Sequence, residues 1–152
     1  MDIITLLMKH EGKRNHIYLD SKGIPTIGVG LNMRRPDSPA RLATVGANYN
    51  AVLAGDQDLT DEQITTLLQQ DVDALGPELD QLVPEWRSWP PNPQLVIQDL
   101  IFNLGSHGLS GFPHTLAAFN AQDWQSAAAH RLRWRSYDFS CRWDWMSCRD
   151  TE

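Results

Sequence analysis

Residues 11–30, EGKRNHIYLDSKGIPTIGVG, constrain this chain more than any other stretch, because they carry a carboxylate off a helix end straight into a hairpin. Residues 1–11 read as a short amphipathic helix. Asp2 is placed to cap it, Ile3, Ile4, Leu7 and Met8 recur at helical spacing, and Gly12 stops it. Glu11 then lies one turn beyond Leu7 and Met8, on their face, at the helix end where the macrodipole is negative. Both surroundings disfavour an ionised carboxylate, so Glu11 is expected to serve as a proton donor. Next, His16, Tyr18 and Asp20 alternate with Ile17 and Leu19, which is strand periodicity. Asp20-Ser21-Lys22-Gly23 has turn chemistry, and residues 24–30 return as a second strand carrying Thr26. Pro25 suits a sheet edge, and Gly28 and Gly30 keep one face bare. At a wet turn Asp20 ionises readily. Two carboxylates in contrasting environments on a small polar hairpin are what cleavage of a glycosidic bond requires.

These residues resemble the active-site segment of the T-even phage type of lysozyme, glycoside hydrolase family twenty-four. In that family a Glu closes the first helix, an Asp follows nine residues on and a Thr six further, on a T-x-G-x-G strand. The matching positions here are Glu11, Asp20, Thr26 and Thr26-Ile27-Gly28-Val29-Gly30. The likeness resumes at residues 61–74, at Ile101-Phe102-Asn103-Leu104-Gly105, at Gly111-Phe112 and at Trp124, covering roughly residues 1–130. Leu31 stands where many relatives carry His, and the usual ending of the family is not legible beyond His130.

The resemblance implies an α+β, lysozyme-like fold over residues 1–152, with a small β-hairpin lobe, a larger mainly helical lobe and the cleft between them. Residues 12–58 would form the small lobe, residues 1–11 and 59–130 the helical one, and residues 131–152 a divergent tail. It implies hydrolysis of the β-1,4 bond between N-acetylmuramic acid and N-acetylglucosamine in peptidoglycan. Glu11 would protonate the glycosidic oxygen, while Asp20 and Thr26 position and activate water on the opposite face of the sugar. Gly30, Leu31, Asn103 and Phe112 are the expected substrate-binding positions. Asn103, polar on an apolar helix, either caps a backbone group internally or lines the cleft, and a Phe such as Phe112 is more often core than sugar platform. No cofactor is expected. Two other readings stay open: a lytic transglycosylase, which would need only the acid, and a non-catalytic protein that binds the wall.

Composition narrows the partners. A length of 152 residues suffices for one domain with a real core. No apolar run approaches the roughly 20 residues of a membrane span, so stable membrane insertion is not expected. Residues 1–8 show neither a basic start nor a cleavage signature, so no signal peptide is expected; release to the wall would then need a separate holin-type pore. The formal net charge of −6 argues against a nucleic-acid partner. It is unevenly placed, because residues 1–35 hold six Lys and Arg against three acids and residues 36–130 hold two Arg against twelve acids. The basic end therefore coincides with the proposed site, which suits an anionic polymer such as peptidoglycan glycan strands, bound by a monomer. The five His lack metal-ligand spacing, so no metal is expected. Cys141 and Cys148, if helical, would lie about 10 Å apart along the axis and read as free thiols.

Further along, residues 31–58 carry the weakest patterning; residues 33–39 read as loop and residues 40–54 as one short helix. Thr60 and Gln63 form a capping box that opens a helix expected to end at Gly76-Pro77, with another over residues 77–83. Asn92-Pro93 opens a helix that is apolar nearly all round and closed by Gly105, followed by a Gly-rich turn over residues 106–113 and short helices over 115–120 and 123–130. In the tail, Trp134, Tyr137, Phe139, Trp143 and Trp145 sit among arginines. The tail fits a divergent last helix or a frame-altered ending better than a basic aromatic surface.

Overall fold

The computed structural model describes residues 1–129, so the expectations for His130, for the tail and for its two cysteines lie outside the described residues. The chain divides into two compact units, Met1–Asp73 and the part from Ala74 onward. The class is α+β, as the hairpin and the helical periodicities predict: helices with one three-stranded antiparallel sheet.

The first unit opens with α1 (Ile3–Glu11), where Asp2 accepts a hydrogen bond from the Thr5 amide at 2.8 Å and Gly12 ends the helix at φ +79°. The sheet follows as β1 (Arg14–Leu19), β2 (Pro25–Gly28) and β3 (Leu31–Asn32), in that order. Tyr18 pairs with Thr26 and Thr26 with Asn32, so these three form a row across one face. Residues of opposite parity, Ile17, Ile27 and Leu31, turn to the core with Met33, Leu42, Val52, Leu59, Ile64 and Leu67. Gly28 lies at φ +67°, and a Cβ there would meet Ile64 at 3.5 Å. That position serves the tight return from β2 to β3, which a side chain would strain.

Two short helices, α2 (Ser38–Thr44) and α3 (Tyr49–Ala54), replace the single helix expected over residues 40–54. Gly46, at φ +73°, breaks the run, and Asn48 caps the second helix by accepting from the Ala51 amide at 3.0 Å. The capping box forms as predicted: the Gln63 amide donates to Thr60 Oγ1 at 3.1 Å and the Thr60 amide to Gln63 Oε1 at 2.9 Å. It opens α4 (Asp61–Leu82), which does not end at Gly76-Pro77 but runs through both. Proline removes one hydrogen bond and crowds the preceding turn. Burial of Leu79 and Val83 in the second core outweighs that cost.

In the second unit a 3-10 turn, Trp86–Ser88, leads to α5 (Pro91–Ser110), α6 (Pro113–Asn120) and α7 (Trp124–Ala129). Helix α5 starts at Pro91, slightly ahead of the expected Asn92-Pro93 cap. Gly105 leaves helical geometry at φ 69°, ψ 168°, as its stop role predicts, but helix resumes after it and takes the place of most of the expected turn. Leu109, fully buried, explains the resumption. The core joins Leu79, Val83, Ile97, Leu100, Ile101 and Leu109 to an aromatic cluster. Trp89 stacks on Phe119 at 5.4 Å, and Trp124 meets both rings edge-on at 5.3 and 6.0 Å.

Candidate active site

All three residues expected to do chemistry belong to the first unit. Glu11 is the last residue of α1 and is half-buried. One turn earlier, Leu7 is fully buried and Met8 packs against the core, so Glu11 follows the apolar face as its spacing predicts.

Asp20 occupies the hairpin turn. Its Oδ1 accepts from the amides of Lys22 at 2.8 Å and Ile24 at 2.9 Å. Its own amide donates to Ile24 O at 3.0 Å, and its carbonyl accepts from the Gly23 amide at 3.0 Å. Four hydrogen bonds thus fix one Asp in a turn where a short side chain can mimic backbone. Oδ2 accepts none of them among the described residues.

Thr26 is 4 % exposed and lies mid-sheet, between Tyr18 and Asn32. Its hydroxyl donates to Ile24 O at 2.9 Å. The hydroxyl hydrogen is therefore spent, and the oxygen can meet a further group only as an acceptor. Ile24 links the two residues: its amide serves the Asp20 carboxylate, and its carbonyl receives both the Asp20 amide and the Thr26 hydroxyl. Ile24 was not singled out in the sequence. The signal was present in the turn, since an Asp-x-x-Gly sequence with a Thr two residues beyond Ile24 fixes the register that joins them.

The base of the hairpin is held just as closely. Asn15 Nδ2 donates to Leu59 O and to Asp61 Oδ1, both at 2.8 Å, while the Leu59 amide donates to Asn15 O at 2.9 Å. Lys13 pairs with Asp61 at 2.5 Å, and with Asn15 this holds the Asp61 carboxyl below the usual carboxylate range. Arg14 lies 4.7 Å over the Tyr18 ring. Arg41, mostly buried, pairs with Asp71 at 2.8 Å and donates to Leu67 O at 2.9 Å, which fixes α2 to α4. Among the described residues no His, Cys, Asp or Glu cluster has a metal-binding arrangement.

The expected sugar-contacting residues fare differently. Gly30, at φ +82°, is exposed in the β2–β3 turn. Leu31 is 6 % exposed, pairs with Ile27 and packs in the first core, as its strand parity directs. Asn103, on α5, donates from Nδ2 to the Asp99 carbonyl at 2.8 Å, one turn back. Phe112 is half-buried and packs against the second core.

The arrangement is that of a helix-end acid and a turn carboxylate with a hydroxyl tied to it. The Phage lysozyme family matches residues 8–140. The chain is 32% identical over 132 residues to the endolysin of Salmonella phage P22, covering 87% of this chain and 80% of that protein. It is 28% identical over 134 residues to the pre-baseplate central spike protein Gp5 of Enterobacteria phage T4, covering 84% of this chain. It is also 28% identical over 104 residues to the peptidoglycan hydrolase gp36 of Enterobacteria phage SP6, covering 68% of this chain. The chain spans only 23% of the T4 protein and 10% of the SP6 protein. By the extent of the family match and by its likeness to the P22 protein, this chain belongs to the phage lysozyme family.

Proposed function

We propose that the chain hydrolyses the β-1,4 bond between N-acetylmuramic acid and N-acetylglucosamine in peptidoglycan. The shared anchoring of Asp20 and Thr26 on Ile24 carries this reading, because it makes a carboxylate and a hydroxyl one rigid unit. The P22 relative's name as an endolysin and the SP6 relative's as a peptidoglycan hydrolase support the substrate class.

Glu11 gives its proton to the glycosidic oxygen as the bond to the anomeric carbon breaks. A water on the far face donates one hydrogen to Asp20 Oδ2 and one to Thr26 Oγ1, and its oxygen attacks the anomeric carbon. The first of those protons ends on Asp20. Direct attack by water inverts the anomeric configuration. Thr26 does not replace the water as nucleophile, since its hydrogen is held by a carbonyl rather than by a base.

The test is clearance of purified peptidoglycan by wild type and by Glu11→Gln. The variant keeps shape and loses the acid, so activity falls about 10²–10⁴-fold with an unchanged melting curve. Clearance at the wild-type rate would contradict the assignment. Analysis of the ends adds a second criterion: reducing sugars mark hydrolysis, whereas anhydro ends would mark a transglycosylase.

A further inference from the structure

Resting on that reading, we propose that Asn32 is a further water-positioning residue, donating from Nδ2 to the oxygen of the nucleophilic water. Asn32 sits on β3 directly opposite Thr26, on the face that Tyr18 and Thr26 share and that points away from Ile27 and Leu31. Directly opposed side chains on one face stand about 4.5–5.5 Å apart at Cβ, near enough for one water to touch both.

The carboxamide is oriented by its other end. The Arg34 amide donates to Asn32 Oδ1 at 2.8 Å. A backbone N–H can only donate, so the atom facing it is the oxygen and the NH₂ group occupies the opposite position. The main chain here is also fixed, since Ser38 Oγ donates to Asn32 O at 2.7 Å and the Met33 amide to Pro25 O at 2.8 Å. No described residue accepts a hydrogen bond from Nδ2, and Asn32 is half-buried.

The water's own valences say what is missing. Asp20 Oδ2 is an acceptor, and Thr26 Oγ1 is restricted to accepting. Together they take both hydrogens of one water. That leaves two lone pairs, one of which must aim at the anomeric carbon. Unless a donor holds the other, the water can rotate about its two hydrogen bonds and lose aim. Asn32 Nδ2 is the donor placed beside Thr26, and it supplies orientation rather than proton transfer.

Two variants separate this role from a structural one. Asn32→Asp keeps an oxygen for the Arg34 amide and replaces the donor by an acceptor; Asn32→Ala removes both. Rates are read on solubilised glycan chains, as kcat and KM, beside melting temperatures. Both variants are expected to lose kcat, on the order of tenfold, with KM within twofold of wild type. Melting falls in Asn32→Ala and holds in Asn32→Asp. Wild-type kcat in Asn32→Ala would overturn the proposal. So would loss confined to Asn32→Asp, which would mean repulsion of Asp20 instead. A kcat loss that disappears once corrected for the folded fraction would reduce Asn32 to loop support. If wild type itself releases no reducing sugar, the hydrolytic reading fails and this proposal with it; an active wild type with an active Asn32→Ala contradicts this proposal alone.

Discussion

The two units are held by different means. In the first, the residues around the site are fixed by short polar contacts: Asp20 by three amides, Thr26 by a carbonyl, and the hairpin base by Asn15 and Lys13 on residues 59–61. In the second, order comes from apolar mass, with Trp89, Phe119 and Trp124 in one cluster under α5. Hydrogen bonds fix direction within a few tenths of an ångström but contribute little net stability each. Apolar burial is stabilising without direction. Chemistry that depends on the aim of a proton or a water belongs on the first kind of scaffold.

The largest expected effect on stability therefore belongs to the second unit. Phe119 is fully buried against two indoles, and Phe119→Ala should cost about 3–5 kcal/mol of stability. Denaturant titration measures it, and kcat per folded molecule should not move. A kcat loss with stability intact would break the contrast between the units. Next in size is Gly28→Ala, which puts a side chain at φ +67° against Ile64 and should cost about 1–3 kcal/mol. Here activity should fall together with stability, because Gly28 forms the return beside the Thr26 row. A variant as stable as wild type would show that the turn tolerates a side chain.

The smallest effect is electrostatic. Asp61 has its carboxyl held low, first by Lys13 and then by Asn15. Because the folded value is depressed, the contribution is present above the ordinary carboxylate value near 4 and is lost as pH falls through the lower folded value. Asp61→Asn should melt slightly earlier than wild type at neutral pH. The two curves should converge as pH drops below about 4, and also as salt rises. A gap that widens in acid would refute the pairing as its cause.

Legibility in the sequence follows the same divide. The Asp2 cap, the Asp20 turn and the Thr60–Gln63 box are local devices whose residue types dictate their geometry, and each forms as its sequence predicts. What escaped the sequence depends on distant partners. Helix α4 passes Pro77 because buried Leu79 and Val83 hold it, and helix resumes after Gly105 because Leu109 is buried. Strand β3 spans only Leu31–Asn32, too short to show alternation, so neither the inward turn of Leu31 nor the place of Asn32 opposite Thr26 could be read beforehand.

The central claim is that a water held by Asp20 and Thr26 attacks the sugar directly. NMR of the reducing end at the moment of release tests it most closely, before the freed sugar equilibrates. Direct attack on the β-linked substrate predicts the α-anomer first, with the β-anomer growing in later. An initial β-anomer, or a glycosyl group trapped on Asp20, would contradict the account, because it would make Asp20 the nucleophile and leave the water without a role in the first step.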